Sequence, residues 1–214
     1  MRNIKKMLKE DDLGDMGIGA MIVFIAMVLV AGIAASVLIQ TANRLEIQAM
    51  QTGQETTEEV ATGIGIEDIT GQIGAGAISN ITICVSPRSG SKDIDLSNTV
   101  VELSDSTNKY LIIYNTTLAC NVPAATGVFD TTAFATDASF SIIVLEDADG
   151  SCVGTNPVIN RGDHVLLAIS ADALFGGLTE RTDIWGMVIP ESGAPGVFAF
   201  RTPASYPDTV YDLY

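Results

Sequence analysis

Ser89-Gly90-Ser91-Lys92 has the S-x-x-K spacing in which a serine attacks and a lysine assists it. Enzymes built on that motif set it at a helix start and add S-D-N and K-T-G elements. Both are missing here, and the flanking Pro87 and Gly90 make the stretch a hairpin-like turn. Asp163 precedes His164 at the start of a strand-like run, but adjacent strand residues point to opposite faces. The aspartate therefore does not orient the imidazole, and no serine triad is expected. Arg161-Gly162-Asp163 spells an adhesion tripeptide and reads as a hairpin turn. Glu146, Asp147 and Asp149 form an acidic loop that lacks EF-hand ligand spacing and reads as solvated charge. His164 is the one histidine, which excludes His-pair zinc arrangements, and three cysteines do not fill a four-ligand structural site without it. Gly63-Ile64-Gly65 and Gly74-Ala75-Gly76 lack the third glycine of a dinucleotide loop, and no G-x-x-x-x-G-K-[ST] occurs. The residues thus predict no catalysis, no metal and no cofactor.

Two kinds of covalent modification remain open. Asn80-Ile81-Thr82 and Asn115-Thr116-Thr117 fit the N-glycosylation pattern, with chance occurrence as the alternative. Cys120 and Cys152 both lie in loop-like sequence, so a Cys120–Cys152 disulfide in an exported domain stands against three unpaired thiols. Cys84, inside an apolar strand, reads as a buried thiol under either pairing.

The element that organises the chain is at its start. Residues 1–14, MRNIKKMLKEDDLG, hold four of the eleven Lys and Arg, and after Asp15 the stretch Met16 to Asn43 carries no ionisable side chain. As a helix, those residues reach roughly 42 Å, more than the roughly 30 Å of a bilayer core. They are apolar all round, unlike the striped helix of a soluble domain. A cluster of four bases lies before this span and most of the acids after it, so the positive-inside rule keeps Lys5, Lys6 and Lys9 cytoplasmic and exports the rest. With 26 Asp and Glu the chain has a net charge of −15, which argues against nucleic acid as a partner.

Helix-forming residues continue without proline to about Ile66, where Gly63 and Gly65 mark a stop. After Gly71 the periodicity becomes strand-like. Seven β-branched and aromatic runs, at AISNITICVS, NTVVELS, KYLIIYNT, SFSIIVLE, DHVLLAIS, TDIWGMVI and GVFAFRTP, are separated by turn residues. The expected fold class is α+β: a long N-terminal hydrophobic helix followed by an antiparallel, Ig-like β-sandwich. The expected domains are a leader at 1–14, a helix at 15–66 and an exported β-domain at 71–214.

A secretory signal places its cleavage site after the apolar core, whereas here a charged leader ending in Leu13-Gly14 comes before it. Cutting between Gly14 and Asp15 leaves the anchor on the mature chain, the arrangement of prepilin-like subunits. The stretch GIGAMIVFIAMVLVAGIAASVLIQTAN, within Gly14 to Asn43, closely resembles the N-terminus of archaeal flagellins (archaellins). WGMVIPESGAPGVFAFRTPASYPD, from Trp185 to Asp208, resembles the C-terminal "PE.GAPG…F.TP" stretch of the same family. Together they cover the first third and last eighth of the chain. Bacterial type IV pilins carry a glutamate at the fifth mature residue; Gly19 stands there in this chain, which fits an archaellin better.

The resemblance implies a filament subunit with several partners: copies of itself or sister archaellins, a prepilin-type aspartyl peptidase, the membrane before assembly, and the archaellum assembly ATPase and platform. It implies an extracellular filament made from a membrane-inserted precursor. In such a polymer the helix needs close packing, because moving it from lipid to identical helices gains little hydrophobic energy. Ala31 with Ala35, and Gly32 with Ser36, have the small-xxx-small spacing that allows it, while Phe24 and Leu29 supply apolar bulk. The alternatives are an adhesive archaeal pilin with the same leader logic, and a membrane-tethered extracellular binding module.

Overall fold

The computed structural model describes residues 2–118, 120–121, 127–130, 133–134 and 137–214, with the side chains of 2–15, 120–121 and 130 left aside. The chain divides into two compact units, Met1–Gln54 and Glu55–Tyr214.

One helix, α1 (Arg2–Ala61), makes up the first unit and supplies the opening residues of the second. The first proline is Pro87, so nothing interrupts the backbone ladder of α1. Within its apolar stretch the Thr41 hydroxyl donates to the Leu38 carbonyl at 2.9 Å, satisfying its own proton without water. The helix ends at Ala61, where Thr62 N still donates to Glu58 O at 2.8 Å.

Strand β1 (Ile64–Gly74) begins seven residues before the expected start of the β-domain, and the helix stops five short of Ile66. Ile64 and Ile69 are fully buried, and Ile66 and Ile73 pack on the same core. Long-range pairing with β2 (Ala77–Pro87) outweighs the local helical tendency of this stretch. The remaining strands are β3 (Ile94–Asp95), β4 (Val100–Ser104), β5 (Lys109–Tyr114), β6 (Cys120–Asn121), β7 (Ser139–Glu146), β8 (Cys152–Val153), β9 (Asn156–Ile159), β10 (His164–Ser170), β11 (Asp183–Ile189), β12 (Gly196–Arg201) and β13 (Val210–Asp212). A short helix, α2 (Ala171–Phe175), follows β10; Ser170 Oγ accepts from Ala173 N at its start and Gly176 closes it in the left-handed region.

The strand order of the large sheet is β12-β11-β4-β5-β7-β10-β2-β1-β13, with β6 beside β7; β3, β9 and β8 form a second, three-stranded sheet. The sheet is mostly antiparallel, and the parallel exceptions are β5 and β6 against β7. It curls far enough for the segment entering β12 to meet the start of β1, where Gly63 and Ala194 form a parallel bridge. Phe140, Ile142, Leu167, Ile169, Ile81 and Ile83 fill the main core. Strand β2 is buried on both faces from Ile81 to Val85, because Val128, Ala133 and Phe134 cover Cys84, Ile143, Leu166 and Ala168 on the other side.

Candidate assembly surface and the junction below it

The apolar side chains of α1 are exposed along the whole stretch from Met16 to Met50, with Phe24 at 67% and Leu29 at 61%. Burying one such large side chain stabilises by roughly 1.5–3 kcal/mol relative to water, so a surface of this size demands a cover. Ala31, Gly32, Ala35 and Ser36 are all exposed, like the rest of the helix from 16 to 50. Val23, Ala26, Met27, Val30, Ala31 and Ala34 line one shallow apolar furrow. Ala26 and Ala34 escaped the small-xxx-small search; steps of three and four residues together, the true helical repeat, find them. A Cβ added at Gly17, Gly19, Gly32 or Gly53 meets nothing within 4 Å. Each helical glycine costs about 1 kcal/mol relative to alanine, and no crowding within the chain explains the choice.

The C-terminal motif has a structural role in the second unit. Ala194 N donates to Thr62 O at 2.8 Å, and Ile64 N donates to Ala194 O at 3.2 Å. Gly193 has φ +95°, and a Cβ there falls 2.3 Å from Thr62 O. The Glu191-Ser192-Gly193-Ala194 turn therefore clasps the residues where α1 becomes β1, and only glycine fits at its closest approach. The former S-x-x-K stretch closes the junction from another side. Gly63 N donates to Ser91 Oγ (3.3 Å), Arg88 N donates to Gly63 O (2.8 Å), and Lys92 Nζ lies 2.6 Å from Glu58 Oε1 in the last turns of α1.

The other sequence candidates fall as follows. Asn80 lies within β2 with its amide donating to Gln72 Oε1 at 3.0 Å. Asn115 follows β5, and its Oδ1 accepts from both Thr117 N (3.1 Å) and Thr117 Oγ1 (2.7 Å). Cys152 is a buried free thiol pushed up to about 12, chiefly by burial, while the Cys120 side chain lies outside the described residues, as does the disulfide expectation that depends on it. Asp163 is buried and accepts from Asn160 N at 2.8 Å. His164 turns instead to Glu67, with Nδ1 3.0 Å from Oε2. Asp163, which the acidic-loop reading left out, joins Asp147 and Asp149, the oxygens lying within 4.8 Å of one another. Glu146 is not part of that group. Asp147 accepts from Gly150 N (2.7 Å) and Cys152 N (3.0 Å), and Asp149 from the Asn160 amide (2.6 Å).

The archaeal-type flagellin family model matches residues 14–200. The chain belongs to the archaeal-type flagellin family. It is 46% identical over 199 residues to Flagellin B2 of Methanocaldococcus jannaschii, covering 92% of each chain. It is 35% identical over 250 residues to Flagellin B3 of Thermococcus kodakarensis, covering 94% of this chain and 97% of that one. The crystal structure of archaeal flagellin FlaB1 from Methanocaldococcus jannaschii superimposes with a TM-score of 0.63 at 32% identity, over 72% of this chain and 97% of that one. The archaeal flagellum of Methanospirillum hungatei strain JF1 shares the fold, with a TM-score of 0.63 at 14% identity over 91% of this chain and 98% of that one. In this flagellin the matched region includes both the bare helix and the 191–194 clasp.

Proposed function

We propose that this flagellin, a structural subunit of the extracellular archaeal motility filament, reaches it as a membrane-inserted precursor cut between Gly14 and Asp15. The exposed, uniformly apolar face of α1 carries the reading. Before assembly, lipid covers that surface; in the filament, copies of the chain and of sister flagellins cover it. The exchange gains little hydrophobic energy, so close packing at Ala31, Gly32, Ala35 and Ser36, with Phe24 and Leu29 supplying apolar bulk, drives association. Contacts that do not close into a ring extend into a helical filament. The peptidase recognises Lys9, Leu13 and Gly14. The chain has no nucleotide loop, so the assembly ATPase and its platform supply the work of export and rotation.

The chain performs no catalysis of its own. Where histidine, cysteine and carboxylate meet, the carboxylate of Glu67 lies between Cys84 and His164, the reverse of a nucleophile–base–acid order. Asn80 and Asn115 are the glycan acceptors. The Thr117 hydroxyl bonded to Asn115 Oδ1 shapes a compact turn on the exposed side of the domain.

Intact-mass measurement of filaments, beside cells carrying Gly14→Val, tests the processing step. The expected outcome is a mature chain beginning at Asp15, and a membrane-retained precursor without filaments in the variant. Filaments built from chains beginning at Met1 would refute it.

A further inference from the structure

On the face of the large sheet opposite the main core, β1, β2 and β10 bring together Glu67, Cys84 and His164. Glu67 Oε2 is 3.0 Å from His164 Nδ1 and 3.8 Å from Cys84 Sγ, and one ligand atom from each of the three lies within 4.8 Å of the others. Ser86 Oγ donates to the other carboxylate oxygen, Oε1, at 2.6 Å, which leaves Oε2 turned to the histidine and the cysteine.

Two irregularities of the sheet lie at this convergence. The β1–β2 register passes from Ile66↔Val85 to Asp68↔Cys84, so Glu67 is an extra residue bulged out of the ladder. The β10–β7 register shifts between His164 and Val165, so His164 also sits at a break. Bulges of this kind re-aim side chains. At the first, Glu67 and Asp68 both stand opposite the single residue Cys84, and Glu67 is the one that leaves the ladder.

The donor set selects among ligands. A tetrahedral ion with M–S near 2.3 Å and M–N and M–O near 2.0–2.1 Å separates sulfur from oxygen by about 3.5 Å and nitrogen from oxygen by about 3.3 Å. The 3.8 Å and 3.0 Å separations from Glu67 Oε2 are within a few tenths of an ångström of these, and the sulfur-to-nitrogen separation is no more than 4.8 Å. Thiolate with imidazole and one carboxylate suits a borderline-soft cation, whereas calcium and magnesium take oxygen ligands. We propose that Glu67, Cys84 and His164 form a three-ligand site for a divalent cation of the zinc class, with water at the fourth position and Ser86 holding the carboxylate from behind.

On binding, the Cys84 S–H bond breaks, its proton passes to bulk water and the thiolate coordinates the ion; nothing is oxidised or reduced. Glu67 and His164 leave the site open to solvent, with side chains 42% and 36% exposed, which provides the entry path. The ion ties three adjacent strands together at a point where the ladder is interrupted twice. The sequence gives against a zinc site only its counts of histidine and cysteine. Those counts do not reveal a carboxylate donor 17 residues from the cysteine and 97 from the histidine.

The test is titration of the full chain in detergent, kept reduced with a phosphine, using Co2+ as the probe. One equivalent is expected to give the intense visible bands of a tetrahedral site with a thiolate-to-cobalt charge-transfer band. Zn2+ erases both, and excess Ca2+ leaves them unchanged. Cys84→Ser removes the charge-transfer band, and His164→Gln and Glu67→Gln weaken binding at least as much as Ser86→Ala, which costs about 10- to 100-fold. Circular dichroism of each variant confirms that its sheet is intact. No tetrahedral spectrum, charge transfer that survives Cys84→Ser and so reports Cys120 or Cys152, or wild-type affinity in His164→Gln would each overturn the site.

Discussion

Single residues in this flagellin carry obligations that composition hides. At Gly193 a side chain would need the left-handed region and would collide with the Thr62 backbone. Gly193→Ala is therefore expected to destabilise the β-domain by at least about 1–2 kcal/mol, read as a lower urea midpoint at unchanged slope. Lys92→Ala, which breaks a solvent-exposed pair with Glu58, is expected to cost less than about 1 kcal/mol in the same assay. The Tyr114 hydroxyl donates to Gly154 O at 2.8 Å, and burial pushes its phenol up to about 12. A group whose folded pKa is raised lends stability below its unfolded value and loses it as pH climbs through the folded one. Between about pH 10 and 12 the domain is thus expected to weaken. Tyr114→Phe should lower stability near neutrality by about 0.5–1.5 kcal/mol and flatten that alkaline decline in unfolding curves taken across the range. The GAPG stretch announced itself in the sequence as a resemblance. Its reason, a turn closing on residue 62, depends on the pairing of Ala194 with Thr62, 132 residues apart, that no local pattern contains.

At the scale of elements, all seven expected strand runs are strands, because alternation of apolar residues fixes which face turns inward. Of β1, the first three residues, 64–66, are expected in the helix, and 67–70 carry no clear element. Its glycines and polar residues dilute the alternation, and the bulge at Glu67 switches the buried parity from Ile64 and Ile66 to Ile69 and Ile73. Two-residue strands such as β3 and β8 are too short for any periodicity to register. The same alternation gives a contrast between two leucines. Leu167, fully buried in β10, is expected to cost about 2–5 kcal/mol on replacement by alanine. Leu111, 61% exposed on β5, should stay within about 0.5 kcal/mol. Paired chemical unfolding of the two variants checks this, and equal losses would mean that the outward face of β5 is covered in solution.

The whole molecule consists of a core that closes on itself and a helix that does not. The main apolar core lies entirely in Glu55–Tyr214, so a chain lacking residues 1–54 is expected to fold as a soluble monomer that forms no filaments, as light scattering and electron microscopy would show. Conversely, Ala35→Leu leaves that core untouched and adds bulk where helices must approach closely. Filaments of that variant are expected to be short or missing, although subunit levels in the membrane fraction stay normal by immunoblot. The helix was the most legible part of the sequence, since uniform apolarity needs no partner to be recognised.

The curled sheet also dictates when the β-domain can be finished. Strand β1 pairs with residues 210–212 and its entry with Ala194, so the first strand of the domain to be translated is completed by residues translated much later. Contacts of such sequence separation make folding slow and postpone its completion until residue 212 has been translated. Each nascent subunit consequently carries unpaired strand edges until then, and a ribosome stalled before residue 194 would release a chain unable to seal its own seam.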